Sequence, residues 1–100
     1  MSASASGGVH LLVSGRVQGV GFRHFLSKSA ETHHVAGWVR NLRDGRVEAV
    51  LVGPAEAVQA VVVQCGRGPR GARVVDLVTR VALADERAAA ARPVTVLETS

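Results

Sequence analysis

"AGWVRNLRDGRVEAVLVG", residues 36–53, decides the architecture of this 100-residue chain. Apolar and polar residues alternate up to Asp44-Gly45 and alternate again beyond it, the pattern of two antiparallel strands around a tight turn. The spacing predicts strands over roughly 36–43 and 46–53, joined by a two-residue Asp44-Gly45 turn. A connection this short makes the two strands neighbours in an antiparallel sheet, and every other element has to be fitted around that pair.

Upstream, "VHLLVSG" (9–15) is apolar on both alternating faces, as a central strand covered on both sides would be. "FRHFLSKSAETHH" (22–34) then sets Phe22, Phe25, Leu26 and Ala30 at helical spacing. Downstream, Gly53-Pro54 opens a second helix, because proline is at home in a first helical turn. Its inward stripe is Ala55, Val58, Val61, Val62 and Cys65, and Gly66, Gly68 and Pro69 end it. Residues 73–82 alternate once more, with Val75, Leu77 and Val81 on one face and Asp76 and Arg80 on the other. "ADERAAAAR" (84–92) has a helical composition without a pattern that places it, and "PVTVLE" (93–98) makes a short last strand whose leading proline suits an edge.

The order is strand, helix, strand, strand, helix, strand, with one extra strand. That order predicts a ferredoxin-like α+β sandwich, an antiparallel sheet with two helices on one face. In this topology the first and third strands lie at the centre and the second reaches the edge beyond the third. Asn41 is thereby carried toward the loop that follows the first strand.

Composition narrows the class. With 47% hydrophobic residues but only Trp38, Phe22 and Phe25 as aromatics, the core is built from valine, leucine and alanine. Twelve Lys and Arg against eight Asp and Glu leave a net charge of +4, which suits an anionic partner or simply reflects an arginine-rich composition. The lone Cys65 forms no internal disulfide and falls on an apolar helix face, consistent with a buried thiol in a reducing compartment. "MSASASGG" (1–8) is small and polar, with none of the apolar character of a signal peptide, so a disordered tail is expected ahead of a single domain over 9–98. No apolar run approaches membrane-spanning length. A cytoplasmic protein without a membrane partner is expected, and a monomer.

The loop "GRVQGVGFR" (15–23) brings positive charge and bare backbone but no acid. It joins a strand to a helix, where free N–H groups gather and the helix dipole favours negative charge. Glycines at 15, 19 and 21 let the backbone wrap closely. The amides of Gln18, Gly19, Val20, Gly21, Phe22 and Arg23 can then form a nest around a phosphate, with the Arg23 guanidinium forking onto the same anion. There is no G-K-[ST] ending, so this is not a P-loop, and the glycine spacing is not that of a dinucleotide site. From these residues alone, a plain connecting loop and an anion cradle both remain open.

Taken together, "GRVQGVGFR" and "GWVRNLRDGRVE" (37–48) resemble the acylphosphatase family, and the match runs from Val9 through Val96. The resemblance implies metal-independent hydrolysis of the carboxyl–phosphate bond of acyl phosphates. It implies that Arg23 binds the phosphate and that Asn41 orients the attacking water. The partners it implies are a small-molecule acyl phosphate and inorganic phosphate, as product and competitor, with no cofactor. One departure stands out: His33, His34 and Val35 occupy the end of the first helix, with His34 where the family has a helix-terminating glycine. Left-handed geometry at a non-glycine residue costs about 1 kcal/mol.

An acyl phosphate needs no acid catalyst, because its leaving carboxylate has a conjugate acid with a pKa of about 4. A loose phosphoryl-transfer transition state asks chiefly for positioning and charge stabilisation, which amides and a guanidinium supply. Arg16, Arg40, Arg43 and Arg46 are expected to be solvated surface charges, and Trp38 a packing anchor. Of His10, His24, His33 and His34 only the last two are adjacent, and they point apart on a helix. With no carboxylate or cysteine at ligand spacing, no metal is expected, and Asp44 and Glu48 are taken as hairpin residues. The alternative, a phosphate- or nucleic-acid-binding ferredoxin-like module without turnover, lacks the base-stacking aromatics such modules carry on their central strands.

Overall fold

Complete burial of Leu11, Val13, Val47, Ala49 and Leu51 fixes the centre of the sheet in the computed structural model, which describes residues 7–100. These residues alternate along two strands, β1 (Gly7–Arg16) and β3 (Val47–Gly53), and pair antiparallel from Gly7–Gly53 to Val13–Val47. Between them in sequence come α1 (Phe22–Thr32) and β2 (Ala36–Asn41). After them come α2 (Ala55–Arg67), β4 (Arg73–Val81), a short α3 (Ala84–Ala88) and β5 (Thr95–Val96). The sheet order is β4-β1-β3-β2-β5. The expected arrangement of the first four strands is therefore present.

Two details differ from the sequence reading. The sheet is mixed, because β5 pairs parallel with β2 through Trp38–Thr95 and Val39–Val96. β5 takes the edge its proline suggested and moves β2 one place inward. The hairpin is also not a two-residue turn. Leu42 and Arg46 face each other across three residues, with the Leu42 N–H donating to the Arg46 carbonyl at 2.8 Å and Gly45 N–H to the Leu42 carbonyl at 3.1 Å. Only Gly45 takes positive φ, 100°. Asp44 is free to turn back instead, its carboxylate accepting the Arg46 N–H at 3.0 Å. An Asx contact of this kind favours the longer turn.

Residues 1–6 of the expected tail lie outside the described residues, whereas Gly7 and Gly8 already pair in β1. The helices cover one face. α1 buries Phe22, Leu26, Ser29 and Ala30, and α2 buries Val58, Val61 and Cys65. Each fully buried valine or leucine contributes about 1.5–3 kcal/mol, so this dry layer carries much of the stability. Ser29 Oγ donates to Gln64 Oε1 across the two helices, satisfying a buried hydroxyl. Burial pushes the Cys65 thiol up to about 12, which makes it a packing residue and no nucleophile.

α1 ends as its sequence foretold. Val35 N–H donates to Ala30 and His34 N–H to Glu31, a Schellman closure with His34 at φ 57°. On the other face of the sheet, α3 crosses over Trp38, whose Nε1–H donates to the Glu86 carbonyl at 3.0 Å. Trp38, Val50 and Ala82 form a small second core there.

Candidate active site

The turn from β1 to α1 is held to the β2–β3 hairpin by one side chain. Gln18 Nε2 donates to the Leu42 carbonyl at 2.7 Å and to the Arg46 carbonyl at 2.9 Å. Two backbone acceptors consume both side-chain amide donors of Gln18, so only its main-chain N–H remains to donate to a ligand. This clamp sets the loop beside the strand that ends in Asn41.

α1 begins at Gly21, which has φ 79° and supplies no side-chain cap; Gly19 before it has φ 74°. Left-handed geometry at both positions bends the chain sharply, and only glycine adopts it without strain. The first turn of α1 contains no acid, whereas α2 has Glu56 there and α3 has Asp85 and Glu86. In those two helices a carboxylate lies where the dipole is positive. In α1 the positive end carries Arg23 and has no counter-charge of its own. Arg23 also joins no ion pair among the described residues.

These features open onto a cavity of about 510 Å³. Val17, Gln18, Gly19, Gly21, Phe22 and Arg23 line it from the loop, and Asn41 lines it from the end of β2. Asn41 pairs with the buried Val47, which puts its side chain on the helix-covered face. The structure thus brings together all but one of the residues expected at the site. Val20 is the exception, its side chain packing against the hydrophobic core.

Four lining residues were not foreseen: Val17, His24, Ser27 and Val96. Ser27 follows Arg23 by four residues, one helical turn along the same side, and that spacing was available as a signal. Its Oγ is buried without a partner among the described residues. Val96 comes from β5, whose parallel pairing with β2 no local pattern announced.

Across the sheet, His10 Nε2 and Glu48 Oε2 are 2.7 Å apart, and Arg40 Nε donates to Glu48 Oε1 at 2.7 Å. Arg80 forks onto Glu86 at 2.9 and 2.8 Å. His10, Glu48 and Glu86 bring ligand-type atoms within 4.8 Å of one another, a grouping of residues far apart in the sequence that ligand spacing along the chain did not show. The guanidinium groups already supply the positive charge that such a set attracts. Arg40 is likewise no solvated charge: it lies 5.2 Å from the centre of the Trp38 ring and pairs with Glu48. Arg46 is held by Asp44. Burial pushes the Glu48 carboxyl up, but hydrogen bonds from His10 and Arg40 outweigh it and hold the group below 4.5.

Comparison with known proteins shows the family. Residues 9–89 match the acylphosphatase family. A curated acylphosphatase from Rhodopseudomonas palustris is 49% identical over 75 residues, covering 75% of this chain and 76% of that protein. A crystal structure of acylphosphatase from Bacillus subtilis superposes with a TM-score of 0.81 at 36% identity, over 90% of this chain and 97% of its own. An acylphosphatase structure from Coxiella burnetii gives a TM-score of 0.82 at 29% identity, over 97% and 100%.

Proposed function

The chain belongs to the acylphosphatase family and hydrolyses acyl phosphates, and from that premise we propose how its own residues carry the reaction. The first-turn amides of α1 and the main chain of residues 18–21 hold the phosphoryl oxygens, and Arg23 forks onto the same group. Asn41 accepts a hydrogen bond from the attacking water and donates one to the substrate, fixing the line of approach. The water oxygen forms a bond to phosphorus as the bond from phosphorus to the carboxyl oxygen breaks, its electron pair leaving with the carboxylate. One water proton passes to a phosphoryl oxygen and the other stays on the new hydroxyl, giving dihydrogen phosphate. With a leaving-group pKa of about 4, no protein acid is needed. No step calls on a metal or cofactor.

One observation carries this reading: Arg23 and Asn41, eighteen residues apart, line the same cavity at a helix N-terminus that has no acid of its own. A buried lone cysteine suits a reducing, cytoplasmic setting. The test is phosphate release from benzoyl phosphate in EDTA, with inorganic phosphate added. Full turnover in EDTA and competitive inhibition by phosphate are expected. Loss of activity in EDTA, or inhibition that is not competitive, overturns the scheme.

A further inference from the structure

α1 carries three hydroxyl side chains, and two of them are spent inside the protein. Ser29 Oγ donates to Gln64 Oε1 on α2, and Thr32 Oγ1 donates to the Lys28 carbonyl at 3.0 Å. Ser27 Oγ is the third; it is buried and has no hydrogen-bond partner among the described residues. Thr32 shows that a hydroxyl on this helix reaches the carbonyl four residues back, yet Ser27 leaves that of Arg23 alone. A buried hydroxyl without a partner is costly and calls for a physical reason.

Its surroundings supply one. Phe22, Leu26 and Ala30 turn into the core and Ser29 toward α2, whereas Ser27 lines the cavity shared by Arg23 and Asn41. Ser27 lies one helical turn, about 5.4 Å, beyond Arg23. A phosphoryl group seated at the helix start is served by Arg23 and the amides, so Ser27 meets the part of the substrate beyond it. The cavity has two walls: Asn41 and Val96 come from neighbouring strands, and Arg23, His24 and Ser27 from α1. Displacement at phosphorus runs in line, with the leaving oxygen opposite the attacking water. Water held by Asn41 enters from the sheet side, so the carboxyl group departs on the α1 side. On that reaction scheme, on which the inference rests, we propose that Ser27 Oγ–H donates to the carbonyl oxygen of the substrate's acyl group.

The step balances without a proton from the protein. As the bond from phosphorus to the carboxyl oxygen breaks, its electron pair spreads over both carboxyl oxygens, and the former carbonyl oxygen takes a share of the negative charge. Ser27 keeps its proton throughout. Its hydrogen bond is stronger to the departing carboxylate than to the neutral carbonyl of the bound substrate, and that difference lowers the barrier. No bond within the protein holds the hydroxyl beforehand, so turning it onto the ligand breaks none. Ser27 thus acts on the acyl half of the substrate, while Arg23 and the amides act on the phosphoryl half.

Hydrolysis of a series of ring-substituted benzoyl phosphates by the wild type and by Ser27→Ala tests the assignment. Melting temperature and competitive inhibition by inorganic phosphate are measured on both. Ser27→Ala should lower kcat for benzoyl phosphate by about 10–100-fold with little change in KM. The deficit should widen as the leaving carboxylate becomes more basic, because the lost donor counted for most there. Inhibition by phosphate, which has no acyl oxygen, should be unchanged, and the variant should melt no lower than the wild type, since alanine is the better helix former. Wild-type kcat in Ser27→Ala overturns the proposal. So does a loss of equal size across the series, a weakened hold on phosphate, or a destabilised fold. A wild type that neither hydrolyses benzoyl phosphate nor is inhibited by phosphate overturns the reaction scheme itself, a failure seen before any variant is made.

Discussion

At the β1–α1 turn, Arg23 lines a cavity with no carboxylate in its lining, and Asn41, whose backbone carbonyl accepts from the Ser100 N–H, makes no side-chain hydrogen bond among the described residues. On the other side of the sheet, Arg40 and Arg80 are each committed to a glutamate, and His10 shares Glu48 with Arg40. The residue types are nearly the same, but the two regions differ in how much bonding capacity remains. The Arg80–Glu86 pair ties α3 to β4, and Glu48 ties β1 and β2 to β3, whereas Arg23 is left without an internal partner among the described residues. A free arginine at an uncapped helix start costs stability that a first-turn acid would restore, and leaving it free makes sense where a ligand supplies the charge.

The sharpest attempt to break this contrast is Arg23→Gln. Benzoyl-phosphate hydrolysis should fall by at least about 10³-fold with the melting temperature unchanged or raised, since no internal partner is lost. Activity within tenfold of wild type would show that the arginine is merely unpaired. Asn41→Ala should lower kcat by about 10²–10³-fold with little change in KM, the mark of a contact made in the transition state. A rise in KM alone would make Asn41 a binding residue.

The paired region should respond in the opposite sense. Glu48→Ala strands Arg40 and His10 beneath α3, and should cost about 2–4 kcal/mol in urea unfolding while kcat stays put. The same region predicts a pH response. Glu48 is held below its ordinary 4.5, and the Arg80 guanidinium beside Glu86 holds that carboxyl down at about 2. Carboxyls depressed in the folded state stabilise it above 4.5, and that contribution disappears as pH falls toward 2. Melting temperatures followed from pH 6 to pH 2 should drop, and should drop less steeply in Glu86→Gln; parallel curves would mean that the pairs contribute nothing. The smallest effect is expected at the helix end, where His34→Gly should relieve the left-handed residue and gain about 1 kcal/mol, or some 4–8 °C. The exposed contact between His34 Nδ1 and Arg92 at 3.2 Å is a minor loss beside it.

How far each region was legible follows from the range of the forces that build it. The hairpin, both helices and the loop glycines announce themselves within a dozen residues, because periodicity and turn chemistry act locally. Asn41 could be placed near Arg23 only by way of the topology, and its role only by way of the family motif. Gln18 was read for its main-chain N–H alone, and nothing nearby reveals that its side chain is spent on the hairpin, 24 and 28 residues away. The His10–Glu48 pair spans 38 residues and the Trp38–Glu86 bond 48, and neither leaves a local trace.

The sequence by itself determined the element order, the glycine-rich turn between β1 and α1 and the helix end at His34, all of which rest on backbone preferences of neighbouring residues. Tertiary structure alone decided the parallel docking of β5, the clamp by Gln18, and which arginines are paired and which stay free. The physical reason is that a charge or an amide is satisfied by whatever the fold brings within about 3 Å of it, and a chain pattern carries no record of that partner.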